Sequence, residues 1–533
     1  MATPATASDA PRIESVSPID GTRLGSVTAT APGDVAAAVA EAAEVQGLWA
    51  QLRYADRARY LARAAQAIID EWDELARLIV AEQGRPVAEA QTMELLPAVE
   101  TLLWLAEHGP RILGPERIGL SRALQPAKRA RLTFEPLGVV AVLTPGAEPF
   151  STPLGDTAIA LMAGNGVVLH PSPLAAFAGE RIGRAFLRAG LPEGLLQIVH
   201  GGPETARALV SARDIAHVRF TGSSQAGRDV GEACARDLRR ATIEVGGKDP
   251  MLVLADCNVP RAVAGAVWGA FANAGQSGGN LARAYVMRER HDRFLAGVVA
   301  RARALHVGHP GDPQTEIGPL LAPDRVQRLV AFIDEAVAGG ATLHCGGPVS
   351  VDGRDGAYFA PAVLSGVPQD ARLLGEDAPG PWLAIEAVGS EQQGIARCNA
   401  GIGGLGASVW TADQYKGARV AREIRAGMVW MNDHVVTRTE PQLPWGAVHG
   451  SGIGRARGVV ALRAMVEPKL VTWDPAAGRM PWWQPYDSSL VTAWRALARL
   501  RSARDADRER GWREGAAPLA RVAGRSLRAV RRR

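Results

Sequence analysis

Cysteine is scarce in this chain: four residues in 533, Cys234, Cys257, Cys345 and Cys398, far apart and with no CxxC spacing. That argues against a disulfide framework and against a cysteine zinc site, and it makes a reducing cytoplasm the simplest compartment. Histidine supplies no metal site either, because His306, His309, His344 and His434 lack ligand spacing. No stretch approaches the roughly 20 unbroken apolar residues of a membrane span. The start, Met1 to Arg12, has neither the basic opening nor the apolar core of a signal peptide.

What is present is the balance of a soluble globular protein, 47% apolar and 22% charged. The length exceeds what one core usually holds, so two or three domains are expected. The net charge of +5 misleads as an average. Residues 493–533 hold 13 Arg, no Lys and 4 acids, a net +9, which leaves −4 for the rest. The basic character belongs to the tail, and nucleic-acid binding by the whole chain is not supported.

Residues 13–30 read as short strands around Asp20-Gly21, and helical periodicity runs from Asp34 to His108. After a strand-rich segment at 131–143, short strands and helices alternate: strand 166–169, helix 178–189, strand 196–199, helix 204–211, strand 217–220, and a helix opening near Ser224. That alternation implies a mostly parallel, doubly wound sheet, and a second such region spans about 250–445. Residues 475–485, rich in Pro and Trp, read as a boundary. Beyond them 488–500 looks helical, and the Arg-rich end looks frayed or disordered.

Three segments carry chemistry. Phe220-Thr221-Gly222-Ser223 ends a strand and opens a helix, with Gly227 one turn in. Its glycines and the helix N-terminus suit a pyrophosphate, although a tight strand-to-helix turn explains it equally well. In Glu244-Val245-Gly246-Gly247-Lys248 a carboxylate beside two glycines suits a general base, against the plainer reading of an exposed loop acid. The loop 273–280 (Asn-Ala-Gly-Gln-Ser-Gly-Gly-Asn) is polar and glycine-rich, yet contains no strong nucleophile.

These segments, with Gly308 to Pro319-Leu320, Gly380-Pro381, Pro444-Trp445-Gly446 and Ser451-Gly452-Ile453-Gly454-Arg455, stand in an order and spacing that resemble the aldehyde dehydrogenase superfamily over about residues 13–473. The resemblance implies an α/β fold: a Rossmann-type cofactor domain (1–117 and 139–245), an α/β catalytic-type domain (246–445) and β oligomerisation segments (118–138 and 446–475), followed by the basic tail 476–533. It implies NAD or NADP as cofactor. It also implies a thiolate that adds to the aldehyde, and a glutamate that activates water to hydrolyse the thioester.

Carried over residue by residue, the match is uneven. Glu244 stands at the water-activating glutamate; Gly222, Ser223, Gly227 and Gly246 stand along the cofactor turn. The nucleophilic cysteine position holds Gly278, in a register fixed by Gln276 before it and Arg283 and Tyr285-Val286 after it. The oxyanion-stabilising asparagine is Ala147. The adenosine-ribose lysine is His170, the acid three positions on is Pro173, and the nicotinamide-ribose glutamate is Asp377 with Pro379 beside it. Loss of one oxyanion donor costs ~10²–10³ in rate, and loss of a nucleophile more. The resemblance therefore implies a family protein impaired or non-classical in NAD(P)-dependent aldehyde oxidation, with weakened or absent cofactor binding. A pseudoenzyme subunit, in a homo-oligomer (dimer or tetramer) or in a mixed oligomer with an active paralogue, is one reading. An active oxidoreductase working through Glu244 without a covalent thioester is the other. The tail, with Trp482-Trp483, Tyr486 and its arginines, suits peripheral contact with an anionic membrane, or packs on a neighbouring subunit.

Overall fold

The computed structural model describes residues 11–121, 128–401, 403–435, 440–474, 480 and 482–530. Runs of Val, Leu and Ala that are buried at every position become central strands of parallel sheets. Two such runs, β1 (Val139–Leu143) and β2 (Gly166–His170), lie in the first sheet with β3 (Leu196–Ile198), β4 (Ile215–Gly222) and β5 (Arg240–Val245). The order is β5-β4-β1-β2-β3, with the short strand Gly452–Ile453 antiparallel on the outside of β5. The chain moves outward from β1 through β2 and β3, then returns to the other side of β1 as β4. That return makes a topological switch point, the place where open α/β sheets bind ligands. Register brings the ends level: Leu143 pairs with His170 and with Phe220, and Thr221 pairs with Glu244.

Only three residues separate β5 from the second sheet. Its strands are β6 (Asp249–Val253), β7 (Leu281–Met287), β8 (Thr342–Val351), β9 (Arg354–Ser365), β10 (Trp382–Val388), β11 (Gly406–Trp410) and β12 (Met428–Met431). They lie in the order β8-β9-β10-β7-β6-β11-β12, parallel except for the β8–β9 pair. The carboxyl end of β5 thus runs directly into the amino end of β6. The 273–280 loop, which precedes β7, belongs to that same amino edge.

Helix α1 (Ser151–Ala163) is buried along nearly its whole length and stops at Gly164, whose φ is +99°. Helix α2 (Ser224–Arg236) opens on the cap Ser223, whose hydroxyl accepts from Ala226 N at 3.4 Å. Helix α3 (Val259–Phe271) leads into the 273–280 loop and packs an apolar face on β6 and β7. Among the described residues, no helix is long and apolar enough to cross a membrane.

The chain divides into two compact units, Met1–Leu113 with Glu135–Glu467, and Gly114–Phe134 with Pro468–Arg533. Residues 446–467 lie in the first unit, where Gly452–Ile453 pairs with β5. The second unit holds most of a three-stranded sheet that orders Val466–Trp473, Arg129–Pro136 and Glu116–Ile118.

It also contains two packed helices, α4 (Ser488–Leu500) and α5 (Asp505–Val530). This corrects the expectation that the Arg-rich end is frayed. Gly511, Gly515, Pro518 and Val522 recur at helical spacing and are buried. A Cβ on Gly515 would lie 2.0 Å from Ala496 Cβ, and one on Gly511 2.9 Å from Ala496 O. Small residues let the two backbones approach, and the ion pair Arg499–Glu514 joins the two helices.

Candidate functional site

The cavity between β5 and the 273–280 loop is lined by Glu244, Gly278, Gly279, Thr221, Trp445 and Arg457, and by Glu148, Ser151 and Asp156 from the start of α1 and the loop before it. Its volume of about 40 Å³ is enough to admit water. The sequence reading placed Glu244 and the Gly278 position in one site, and the structure brings them together.

Glu244 is partly buried, and burial pushes its carboxyl up to about 7. A hydrogen bond from the Trp445 side chain opposes that shift, the charges of Asp156 and Glu148 add to it, and Arg457 lowers it. A carboxyl near neutrality is the condition a general base requires. Asp249, five residues on, is fully buried and its carboxyl is raised well above the ordinary range, mainly by desolvation. Lys248 has φ +49° and sits 4.8 Å from the Trp382 ring centre; burial lowers its ammonium to about 8.

The loop that carries Gly278 is held in an unusual shape. Asn273, Ala274 and Gly275 take φ values of +56°, +48° and +66° in succession. Each non-glycine residue there costs roughly 1–2 kcal/mol, so the surroundings must hold it. Asn273 N donates to Glu89 Oε2 at 2.9 Å, and Asn273 Nδ2 to Ala147 O at 3.0 Å. Gln276 Oε1 accepts from Leu321 N at 3.0 Å and from Arg325 Nη1 at 3.2 Å. Gly278 itself is unconstrained: a Cβ built there meets nothing within 4 Å, and its φ lies outside the left-handed region.

Ala147 contributes its backbone carbonyl to that scaffold, where the Arg85 guanidinium also donates to it. Arg85 is buried and pairs with Glu94 at 3.0 Å, and Glu94 Oε2 accepts from Phe150 N at 3.0 Å and Ser151 N at 2.7 Å. This buried pair clamps the loop 145–150 and the first turn of α1. On the opposite wall Asp156 is paired with the buried Arg219, which also donates to Ala456 O at 3.0 Å.

No cysteine lines the cavity. Cys234, Cys257 and Cys398 are buried in hydrophobic clusters, and Cys345 lies on β8. Burial raises all four thiols, Cys398 up to about 12, the opposite of what a reactive thiolate needs.

The cofactor-turn residues also converge. Ser223 caps α2, and Gly227 lies in its first turn, where a Cβ would come 2.6 Å from Val245 Cγ1. Gly222 ends β4, and a Cβ there would come 2.5 Å from the Phe220 ring. Gly246 follows β5 in the linker to β6. Asp377 reaches this helix start, its Oδ2 accepting from Ser224 N at 3.4 Å. His170 ends β2 but is buried, with Nε2 lacking a partner, and desolvation lowers its imidazole.

The sequence reading missed Asp156, Glu148, Ser151, Arg219 and Arg457. Two signals were available: Asp156 interrupts an otherwise apolar helix, and Arg219 interrupts an apolar strand. A buried charge of that kind needs a partner.

A parallel sheet with a glycine turn at its switch point, facing a second α/β lobe, is the NAD-binding fold of an oxidoreductase. The match can be made more specific. Residues 5–471 match the model of the aldehyde dehydrogenase family. The chain is 33% identical over 456 residues to a betaine aldehyde dehydrogenase of Cereibacter sphaeroides, covering 86% of this chain and 92% of that protein. It is 34% identical to a 4,4'-diapolycopene aldehyde oxidase of Methylomonas, covering 90% and 89%. Among solved structures, a putative aldehyde dehydrogenase from Burkholderia cenocepacia superposes with a TM-score of 0.85 at 29% identity, covering 89% of this chain and 96% of that one. A Mycobacterium tuberculosis aldehyde dehydrogenase complexed with NAD+ gives 0.83 at 32% identity, covering 88% and 95%. The chain belongs to the aldehyde dehydrogenase family.

Proposed function

We propose that this is an aldehyde dehydrogenase-family protein in which the covalent thioester route is closed, so that NAD(P)-dependent aldehyde oxidation is impaired, with a pseudoenzyme subunit as the limiting case. The observation that supports it is the cavity itself: Glu244 and Gly278 line it, and no sulfur does. In the proposal the chain is cytoplasmic and forms a homo-oligomer or a mixed oligomer with an active paralogue.

The cofactor is proposed as NAD or NADP, which when bound supplies a hydride acceptor. The start of α2 fits its pyrophosphate: a helix N-terminus, a close turn at Gly222 and Ser223, and Gly227 and Gly246 nearby. Asp377 would face the nicotinamide ribose. The adenosine ribose end fits less well, since His170 is buried and Pro173 carries no side-chain acceptor. Binding is therefore weaker than a lysine and an acid there would give.

The test compares NAD(P)-dependent oxidation of an aldehyde by the wild-type chain and by Gly278→Cys. Open space at Gly278 predicts that the cysteine is accommodated and raises the rate by at least ~10²-fold. A wild-type rate equal to that of Gly278→Cys would show that no thiol is missing.

Glu244 supports the second reading. With its carboxyl raised to about 7, it could take a proton from an aldehyde hydrate. That reading expects a slow cofactor-dependent oxidation in the wild type, rising with pH through about 7 and abolished in Glu244→Gln.

A further inference from the structure

The helical hairpin α4–α5 has a surface that the oxidoreductase reading does not use. Trp482 packs on Trp494, with ring centres 6.3 Å apart, and so pins the segment that enters α4. Its neighbours Trp483 and Tyr486 are left outward, 55% and 64% exposed. Along α5, Trp512 is 66% exposed, and Ala516 and Ala520 follow it at four-residue spacing, also exposed. The stripe that packs on α4 runs through Gly511, Gly515 and Val522, so α5 is apolar on a second, solvent-facing side.

The hairpin is also charged, with Glu509 an exposed acid three residues before Trp512. Glu514 and Asp505 are already paired with arginines of the hairpin. Arg495, Arg501, Arg504, Arg513 and Arg521 are exposed and have no acidic partner among the described residues. Exposed indole and phenol rings and unpaired arginines in one unit match the requirements of a membrane interface: rings at headgroup depth, guanidinium groups on lipid phosphates. A nucleic-acid groove would explain the arginines but not the small apolar residues Ala516 and Ala520 beside Trp512.

We propose that the α4–α5 hairpin is a docking surface for anionic lipid membranes. The test is co-sedimentation of the full-length chain with vesicles of phosphatidylcholine alone or phosphatidylcholine mixed with phosphatidylserine. The chain is expected to sediment with the mixed vesicles only, and to be released as salt shortens the screening length. Arg513→Glu with Arg521→Glu should lower the partition at least ~tenfold, since each arginine near the surface contributes about 1 kcal/mol. Trp483→Ser with Trp512→Ser should lower it without removing the salt dependence. These positions are solvent-exposed, and circular dichroism checks that the variants stay folded.

Equal sedimentation with both vesicle types, none at low salt, or no change in either variant would overturn the proposal. So would tighter binding to a single-stranded oligonucleotide than to mixed vesicles. A change in oligomeric state of the tryptophan variant with unchanged sedimentation would mean that the hairpin packs between copies, which also overturns it.

Discussion

Two glycines three residues apart in the 273–280 loop are there for opposite reasons. At Gly275, φ is +66° and a Cβ would stand 2.0 Å from the carbonyl oxygen of Gly380. The fold has no alternative to glycine there. At Gly278 a Cβ meets nothing within 4 Å, and the backbone suits any residue. The loop therefore keeps, at a position lining the Glu244 cavity, a backbone able to carry a side chain while carrying none. The contrast separates what packing requires from what chemistry requires, and substitutions can break or sharpen it.

The largest effect is expected at Gly275. Gly275→Ala combines a left-handed backbone with a collision against main chain, which places it among the severe substitutions, at about 4 kcal/mol or more. Gly278→Ala should change stability by no more than about 0.5 kcal/mol. Thermal unfolding of the two variants side by side tests this, and similar losses for both would remove the distinction on which the proposed function leans.

Glu244 is the next largest, and it is a group the fold tolerates at a cost. Burial raises its carboxyl to about 7, so the folded chain binds a proton that the unfolded chain has already released. Its contribution is fully favourable below the unfolded value near 4.5 and is lost as pH rises through about 7. Glu244→Gln removes that penalty. It should stabilise the chain by roughly 2–3 kcal/mol at pH 8 and by nearly nothing at pH 4.5. A pH-independent difference between the two proteins would mean that Glu244 is solvated and poorly suited to act as a base near neutrality.

The sequence carried the backbone side of this contrast well and the side-chain contacts poorly. Strand and helix alternation, and the glycine turns at Gly222 and Gly246, are local patterns, and the fold follows them. The pairing of Glu244 with the Gly278 position came through resemblance and is matched by one shared cavity. What brings Asp156 and Glu148 to the same cavity is the packing of α1 against β1 and β2 and the pairing of Asp156 with Arg219 on β4, long-range facts that no local spacing encodes. The left-handed run at Asn273 and Ala274 was equally hidden, because residues as distant as Glu89, Ala147, Leu321 and Arg325 help to hold it. The hairpin was misjudged because composition outweighed periodicity: the arginines suggested disorder, while Gly511, Gly515 and Val522 marked a packed face.

The smallest expected effects come from two serines that apply the same comparison to hydroxyl groups. Ser223 Oγ caps α2, and Ser223→Ala should cost about 0.5–1 kcal/mol by leaving a helix N–H unpaired. Ser151 Oγ is only 4% exposed as part of its residue and has no partner, although Ser151 lines the Glu244 cavity. A buried hydroxyl without a partner gives the fold nothing, so Ser151→Ala should be neutral or slightly stabilising. If unfolding shows instead that Ser151→Ala costs as much as Ser223→Ala, the hydroxyl is bonded to an ordered water. The cavity has room for one, and Glu244 would then have its proton donor already in place. If Ser151→Ala is silent, the cavity wall is indifferent to that hydroxyl, and the polar groups that matter beside Gly278 reduce to Glu244 and the charges that set its ionisation.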